Sequence, residues 1–186
     1  SDVARRAIVL SALTRRLWIE SIAAAHAAEH EAEAYDLRGW LRTEELWHEL
    51  TAAEADVLER RPGELTEDEA AAIAWQSEAL STLGWALGLI DRLGAAYPSD
   101  VATAIRALPE PWDPIAPWVR ERSLRPESEI TGERDLAEVL EWRIAIEPAR
   151  RVASGVQFAE YTTAIDDVTQ EVLAAGLLPA GETDLR

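Results

Sequence analysis

A glutamate at position 78 lies in a strongly apolar stretch of the chain, between Trp75 and Trp85. An ionised carboxylate against aromatic walls is costly, so such a group either works as a general acid or base or pairs with an arginine. We expect that partner to be Arg143, ahead of Arg125. Glu78 and Arg143 are therefore the candidate catalytic residues, and a purely structural ion pair is the interpretation we favour.

Eight tryptophans in 186 residues supply enough aromatic surface to line a small-molecule pocket. Trp112 and Trp118 lie on a proline-rich segment, which makes them the best candidates for a lid. The candidate ligand-binding residues are Trp75, Trp85, Trp112, Trp118 and Arg125. The alternative is that these tryptophans belong to the core, which is the more common position for large aromatic side chains.

A zinc-peptidase pattern, H-x-x-E-H, occurs at His26, Glu29 and His30. In such enzymes the two histidines bind the metal and the glutamate activates water. His26, His30 and Glu33 share a helical face and are the weak candidate ligands. A five-residue match arises easily in an Ala/Glu/His-rich helix, so we expect an exposed helix with no metal and no cofactor. His48, the remaining histidine, is expected to be a helix-packing residue.

The chain is acidic, with a formal charge of -17 at pH 7, and it lacks cysteine and lysine. Without cysteine there is no disulfide or thiolate nucleophile, and without lysine there is no Schiff-base residue. The negative charge disfavours binding to nucleic acids and anionic membranes. No apolar run approaches the roughly 20 residues of a membrane span. We expect a soluble cytoplasmic protein that binds neither nucleic acid nor membrane.

Apolar residues recur at helical spacing, and no alternation with a period of two is long enough for a sheet. Capping boxes at Thr51 with Glu54 and at Thr66 with Glu69 predict helix starts. The predicted fold is all-α, with a single compact multi-helix domain over 1–178 and a disordered tail over 179–186. The predicted helices cover 3–35, 37–41, 43–50, 51–60, 66–93, 98–108, a short piece after Pro114, 127–146 and 157–175.

The predicted helix 66–93 is apolar around most of its circumference, and Gly94 is expected to end it. We expect it to be the central and most buried helix. The last predicted helix has an apolar seam with spacings of three and four residues. We expect this seam to dock on its own domain in a monomer, and a homodimer formed through residues 158–175 is the alternative. The seam consists of Phe158, Tyr161, Ile165, Val168, Val172 and Ala175.

Three stretches of the chain together resemble a bacterial family known as domain of unknown function 4272. They read GWL at 39–41 with LW at 46–47 and LTAAE at 50–54, WQSEAL at 75–80 with WALG at 85–88, and LRPESEI at 124–130 with WR at 142–143. The resemblance covers about residues 3–146, and the chain departs from the family pattern beyond Pro148. It implies a mostly helical fold with buried Trp, Glu and Arg positions and brings no established activity.

The sequence contains no glycine-rich phosphate loop, nucleophile elbow or Ser-His-Asp ordering. Our leading hypothesis is therefore an interaction module of a regulatory or immunity type that binds a protein partner and is not an enzyme. The alternative is a small-molecule-binding protein or enzyme with a Trp-lined pocket around Glu78 and Arg143. A metal-dependent hydrolase acting through His26, Glu29 and His30 is a remote third hypothesis.

Overall fold

The computed structural model describes residues 1–22, 27–93 and 101–152, together with Thr163, Asp166, Asp167 and Gln170. Over these residues the chain forms helices joined by turns and no strand, which confirms the predicted all-α class. The chain forms two compact units, residues 1–125 and 126–186. The single domain predicted over 1–178 stays a prediction.

The described residues of the first unit form six α-helices and one 3₁₀ turn, Trp47–Glu49. The described α-helix of the second unit is α7, Glu127–Val152. The helices of the first unit are α1 Asp2–Ile22, α2 Ala27–Thr43, α3 Ala52–Glu59, α4 Glu67–Ala86, α5 Val101–Arg106 and α6 Ile115–Glu121.

Several predicted helix boundaries differ from the structure. The predicted helices 3–35 and 37–41 correspond to α1 and α2, and residues 23–26 between them lie outside the described residues. The predicted helix 43–50 is reduced to the short 3₁₀ turn. α7 continues past Pro148, where we predicted an end at residue 146. Proline removes one backbone N–H donor, but a helix can absorb that loss with a kink and continue.

α1 is the most buried helix among the described residues of the first unit. Eleven of its 21 residues are buried, against five of the 20 residues of α4. The prediction that the helix at 66–93 is the most buried one is therefore wrong. The reason is the number of neighbours: α1 packs against α2, α3 and α4, whereas the main neighbours of α4 are α1 and α5.

α4 ends earlier than predicted because Gly88 reverses the chain. Gly88 has a φ of 69°, and its N–H donates to the Trp85 carbonyl at 2.9 Å. The Leu89 N–H donates to the Gly84 carbonyl at 2.8 Å. This pair of bonds is a Schellman motif, which favours glycine at the residue with positive φ. Gly94, the predicted end of the helix, lies outside the described residues.

Both predicted capping boxes are confirmed. The Thr51 hydroxyl accepts the Glu54 N–H at the start of α3, and the Thr66 hydroxyl accepts the Glu69 N–H at the start of α4, each at 3.3 Å. Each glutamate carboxylate in turn accepts the N–H of its threonine at 2.9 Å. Local chemistry therefore determines where α3 and α4 begin.

A buried ion pair on α1 holds the turn between α3 and α4, residues 60–66. The Arg16 side chain is fully buried; it donates to the Glu20 carboxylate at 2.7 Å and to two carbonyls of the turn at 3.1 and 3.4 Å. Glu20 accepts the N–H groups of Gly63 and Leu65 at 2.9 and 3.0 Å. Burial raises the pKa of Glu20, but the bonds from Arg16 and from these N–H groups outweigh burial and lower it.

The predicted C-terminal elements, the helix over 157–175 and the tail over 179–186, lie outside the described residues except at residues 163, 166, 167 and 170. The docking or homodimer role of the seam at 158–175 stays a prediction. In the described part of the chain, no helix combines the length and hydropathy required to cross a membrane.

We expect Arg16→Met to destabilise the protein by about 3 to 5 kcal/mol, because it leaves the Glu20 carboxylate and two turn carbonyls without their donor. Urea unfolding measures this loss. The matched control is Arg42→Met, because Arg42 pairs with Glu59 where both side chains are 50% exposed. That change should cost no more than about 1 kcal/mol. Similar losses in the two variants would contradict the role given to Arg16.

Candidate functional site

Glu78 lies on the side of α4 that faces solvent. It is half-buried, and with Ala71, Ala74 and Trp75 it lines an open groove of about 270 Å³. Within the described residues Glu78 forms no ion pair, so the prediction of a buried Glu78 bonded to arginine is not supported there. The side chain of Arg143, the preferred partner, lies outside the described residues.

Trp75 is 71% exposed, the largest exposed fraction among the described large hydrophobic residues. The expectation that this helix is buried around most of its circumference is therefore wrong at this position. Ile73 and Leu80 pack into the core and Trp85 is buried near the end of the helix, while Trp75 and Thr82 remain in solvent. Trp75 and Trp85 are ten residues apart, which at 3.6 residues per turn places them about 80° apart around the helix axis.

The exposed side of α4 combines one large aromatic side chain with two carboxylates. We call it the α4 face and define it by Asp68, Ala71, Ala74, Trp75 and Glu78. These residues follow one another at helical spacing, so their side chains project in similar directions. Neither carboxylate forms an ion pair with any residue that the structure describes. An aromatic ring beside free carboxylates is suited to binding a cation.

Trp85 and Arg125 form a structural contact at the end of α4. Trp85 is buried, and the Arg125 guanidinium carbon lies 5.2 Å from the centroid of its ring. The Arg125 guanidinium also donates to the carbonyls of Trp85 at 2.7 Å and of Ile90 at 3.0 Å. The backbone N–H of Arg125 donates to the carbonyl of Ala86 at 2.8 Å. The backbone N–H of Arg125 therefore satisfies the Ala86 carbonyl at the end of α4, and the guanidinium adds bonds to the carbonyls of Trp85 and Ile90.

Trp112 and Trp118, the predicted lid, have separate surroundings. Trp112 is 53% exposed, and a Cβ added at Gly39 would lie 3.0 Å from its ring, so the ring packs on the Gly39 backbone. The Trp118 indole N–H donates to the Ala107 carbonyl at 3.2 Å, and Arg122 lies 5.1 Å from its ring centroid. Neither tryptophan is among the described residues that line the groove of Trp75 and Glu78.

The zinc pattern is only partly described, because His26 lies outside the described residues. His30 is buried, which contradicts the exposed position we expected, and its Nδ1 lies 3.2 Å from the Glu33 carboxylate. Across the described ranges, no group of three or more candidate ligands could hold a metal ion. The His48 side chain is 69% exposed beside Glu49, so its predicted role in helix packing is wrong.

The buried carboxylate that pairs with arginine is Glu54, which we did not predict in this role. Its side chain is 3% exposed, and it binds the Arg6 guanidinium through two bonds of 2.5 and 3.0 Å. The Gln76 amide also donates to Glu54 at 3.3 Å, so residues from α1, α3 and α4 meet at one carboxylate. The capping box with Thr51 was the available signal, but it predicts a helix start and gives no information about burial.

The hydrogen bonds of Glu54 outweigh the effect of its burial. Burial raises the pKa of Glu54, but the bonds from Arg6 and the Thr51 N–H, together with the positive charge of Arg6, lower it below its ordinary value. The same contact raises the pKa of Arg6. Both groups are therefore charged at neutral pH, and the site holds a structural ion pair rather than a proton-transfer pair.

We predict that the stability difference between the wild type and Glu54→Gln depends on pH. A carboxyl whose pKa is lower in the folded state stabilises the fold above its unfolded pKa of about 4.3, and this contribution disappears as pH falls through the folded value. Urea unfolding should give a constant difference above about pH 5 that shrinks below about pH 4. A stability difference that persists unchanged at pH 3 would contradict the assignment of Glu54 as an ion-paired carboxylate with a lowered pKa.

Comparison with known proteins identifies a family. The family described as Domain of unknown function (DUF4272) matches residues 1–159. This range includes the resemblance predicted over 3–146 and extends past Pro148, where we expected the chain to depart from the family. No curated protein and no solved structure matches the chain. Because the match covers most of the 186 residues, the chain belongs to the DUF4272 family.

Proposed function

We propose that the protein is a non-catalytic interaction module that binds a basic protein partner through the α4 face. The observation that carries this proposal is the exposure of Trp75, 71% of which is in contact with solvent beside unpaired carboxylates. A cytoplasmic location, a monomeric state and a regulatory or immunity-type role belong to the same proposal. The absence of cysteine is consistent with that location.

The surroundings of Trp75 suit contact with another protein. A buried aromatic side chain removes about 150 to 250 Å² from water, and tryptophan is enriched among the residues that dominate binding energy. Ala71 and Ala74 lie beside Trp75 and are exposed, so the side chains on the N-terminal side of the ring are short and leave it accessible. A partner that covers Trp75 gains apolar contact that the fold does not provide.

The charges on the α4 face favour a basic partner. Asp68 and Glu78 form no ion pair with described residues, and the chain carries a net charge of -17. A lysine or arginine of the partner can pair with Glu78, which lines the groove with Trp75, and lie over the indole ring. The net negative charge also accelerates encounter with a positively charged surface.

The shape of the groove favours binding over catalysis. A catalytic carboxylate works best where water is excluded and where other polar groups converge on the reacting atoms. The groove at Glu78 is open to solvent, and its described lining consists of Ala71, Ala74, Trp75 and Glu78. We therefore assign Glu78 a role as a charge partner and Trp75 a role as the apolar anchor.

To identify the partner, a photo-crosslinking amino acid replaces Ala74, beside Trp75, and the variant is expressed in the organism whose genome encodes the protein. The matched control position is Ala116, which is exposed on α6. We expect a protein of basic isoelectric point to be captured from position 74 and not from position 116. Equal capture from both positions, an acidic captured protein, or no capture would contradict the proposal.

The captured partner is then purified, and its affinity is measured by calorimetry. Trp75→Ala should weaken binding at least about tenfold, and Glu78→Gln should weaken it less and reduce its salt dependence. The matched control is Tyr35→Ala, because Tyr35 is an aromatic residue of α2 with a similar exposure of 67%. Equal affinities of the wild type and Trp75→Ala would overturn the proposed site.

A further inference from the structure

A second surface feature lies between α1 and α2 and does not involve the α4 face. It is a cleft of about 250 Å³, which we call the α1–α2 cleft. Ligand pockets commonly have volumes of about 300 to 1,000 Å³, so the cleft suits a molecule at the small end of that range. Its lining includes Arg15, Trp18, Ile22, Glu33, Leu37 and Pro111.

The apolar lining of the cleft is partly in water. Trp18 is 50% exposed and Ile22 is 51% exposed, whereas Leu37 is buried. Trp18 and Ile22 are four residues apart on α1, so they lie on the same side of the helix. An apolar group placed in the cleft therefore contacts an indole ring and aliphatic side chains.

Arg15 is a cation without a partner among the described residues. Its Nε–H group is buried and donates to no described acceptor, and the side chain forms no ion pair there. The other three arginines of α1 each pair with a carboxylate: Arg5 with Glu49, Arg6 with Glu54 and Arg16 with Glu20. Arg15 lines the cleft without a carboxylate partner among the described residues, and an anionic ligand group would supply that partner.

Glu33 gives the same cleft a negative charge from α2. Its side chain is 59% exposed, and one carboxylate oxygen lies 3.2 Å from the Nδ1 of His30. The other oxygen has no partner among the described residues. Because Arg15 and Glu33 form no ion pair with each other, the cleft offers both a cation and an anion to a ligand.

We infer that the α1–α2 cleft binds an apolar α-amino acid in its zwitterionic form. The carboxylate of the ligand pairs with Arg15, its ammonium group pairs with Glu33, and its side chain packs against Trp18 and Ile22. Glu33 also opposes ligands with two negative charges, so the site selects against phosphate esters. This inference concerns a site separate from the α4 face and does not depend on the proposed partner.

The test is calorimetric titration of the purified chain with L-phenylalanine and L-leucine. We expect saturable binding of both and binding at least about tenfold weaker to phenethylamine, which lacks the carboxylate. We expect a similar loss for 3-phenylpropionate and for N-acetyl-L-phenylalanine, which lack the ammonium group. These analogues also distinguish a free amino acid from the C-terminal residue of a peptide.

Variants assign the two charges. Arg15→Gln and Glu33→Gln should each weaken binding of L-phenylalanine about tenfold or more, with melting temperatures close to the wild type. Arg120→Gln is the matched control, because Arg120 is exposed on α6, away from the residues that line the cleft. Absence of binding at millimolar concentrations, or tight binding of N-acetyl-L-phenylalanine, would overturn the inference. Unchanged affinity in Arg15→Gln would also overturn it.

Discussion

The carboxylate of Glu54 is the point on which the arrangement of the first unit depends. It is almost completely buried, so its charge must be met inside the fold, and Arg6 of α1 meets it through two bonds. The same carboxylate caps α3 through Thr51 and accepts a bond from Gln76 of α4. One charge therefore connects three helices. The orientation of α4 also depends on apolar packing, because Ile73 and Leu80 are buried on the side opposite the exposed Trp75.

Local chemistry made part of the fold predictable, and packing determined the rest. The two capping boxes are sequence-local, which is why the starts of α3 and α4 could be predicted. Gly94 was predicted to end the helix at 66–93, but the chain already turns at Gly88, which adopts a positive φ. The stripes through Ile73 and Trp75 are both apolar, so hydropathy alone could not decide which one has a neighbour to pack against. A buried Glu–Arg pair occurs at Glu54, where we had not predicted one, and Glu78 forms no ion pair with described residues.

The two surfaces that we connect with function share one physical property. Most arginines and several carboxylates of the first unit form ion pairs, whereas Arg15, Asp68 and Glu78 form none with described residues. Arg15 lines the same cleft as the exposed Trp18, and Glu78 lines the same groove as the exposed Trp75. The sequence could not reveal this, because pairing depends on neighbours that only the fold brings together. An unpaired charge beside an exposed aromatic ring is a feature of binding surfaces.

The most direct test of this account is a double-mutant cycle on Arg6 and Glu54, with unfolding free energies measured in urea for the wild type, Arg6→Ala, Glu54→Ala and the double variant. The cycle cancels the loss of the cap at Thr51, which both Glu54 variants share, and isolates the contact between the two charges. If the pair holds α1 against α3 and α4, the double variant will be less destabilised than the sum of the single variants by about 1 to 3 kcal/mol. Additivity within about 0.5 kcal/mol would show that the pair does not organise the fold.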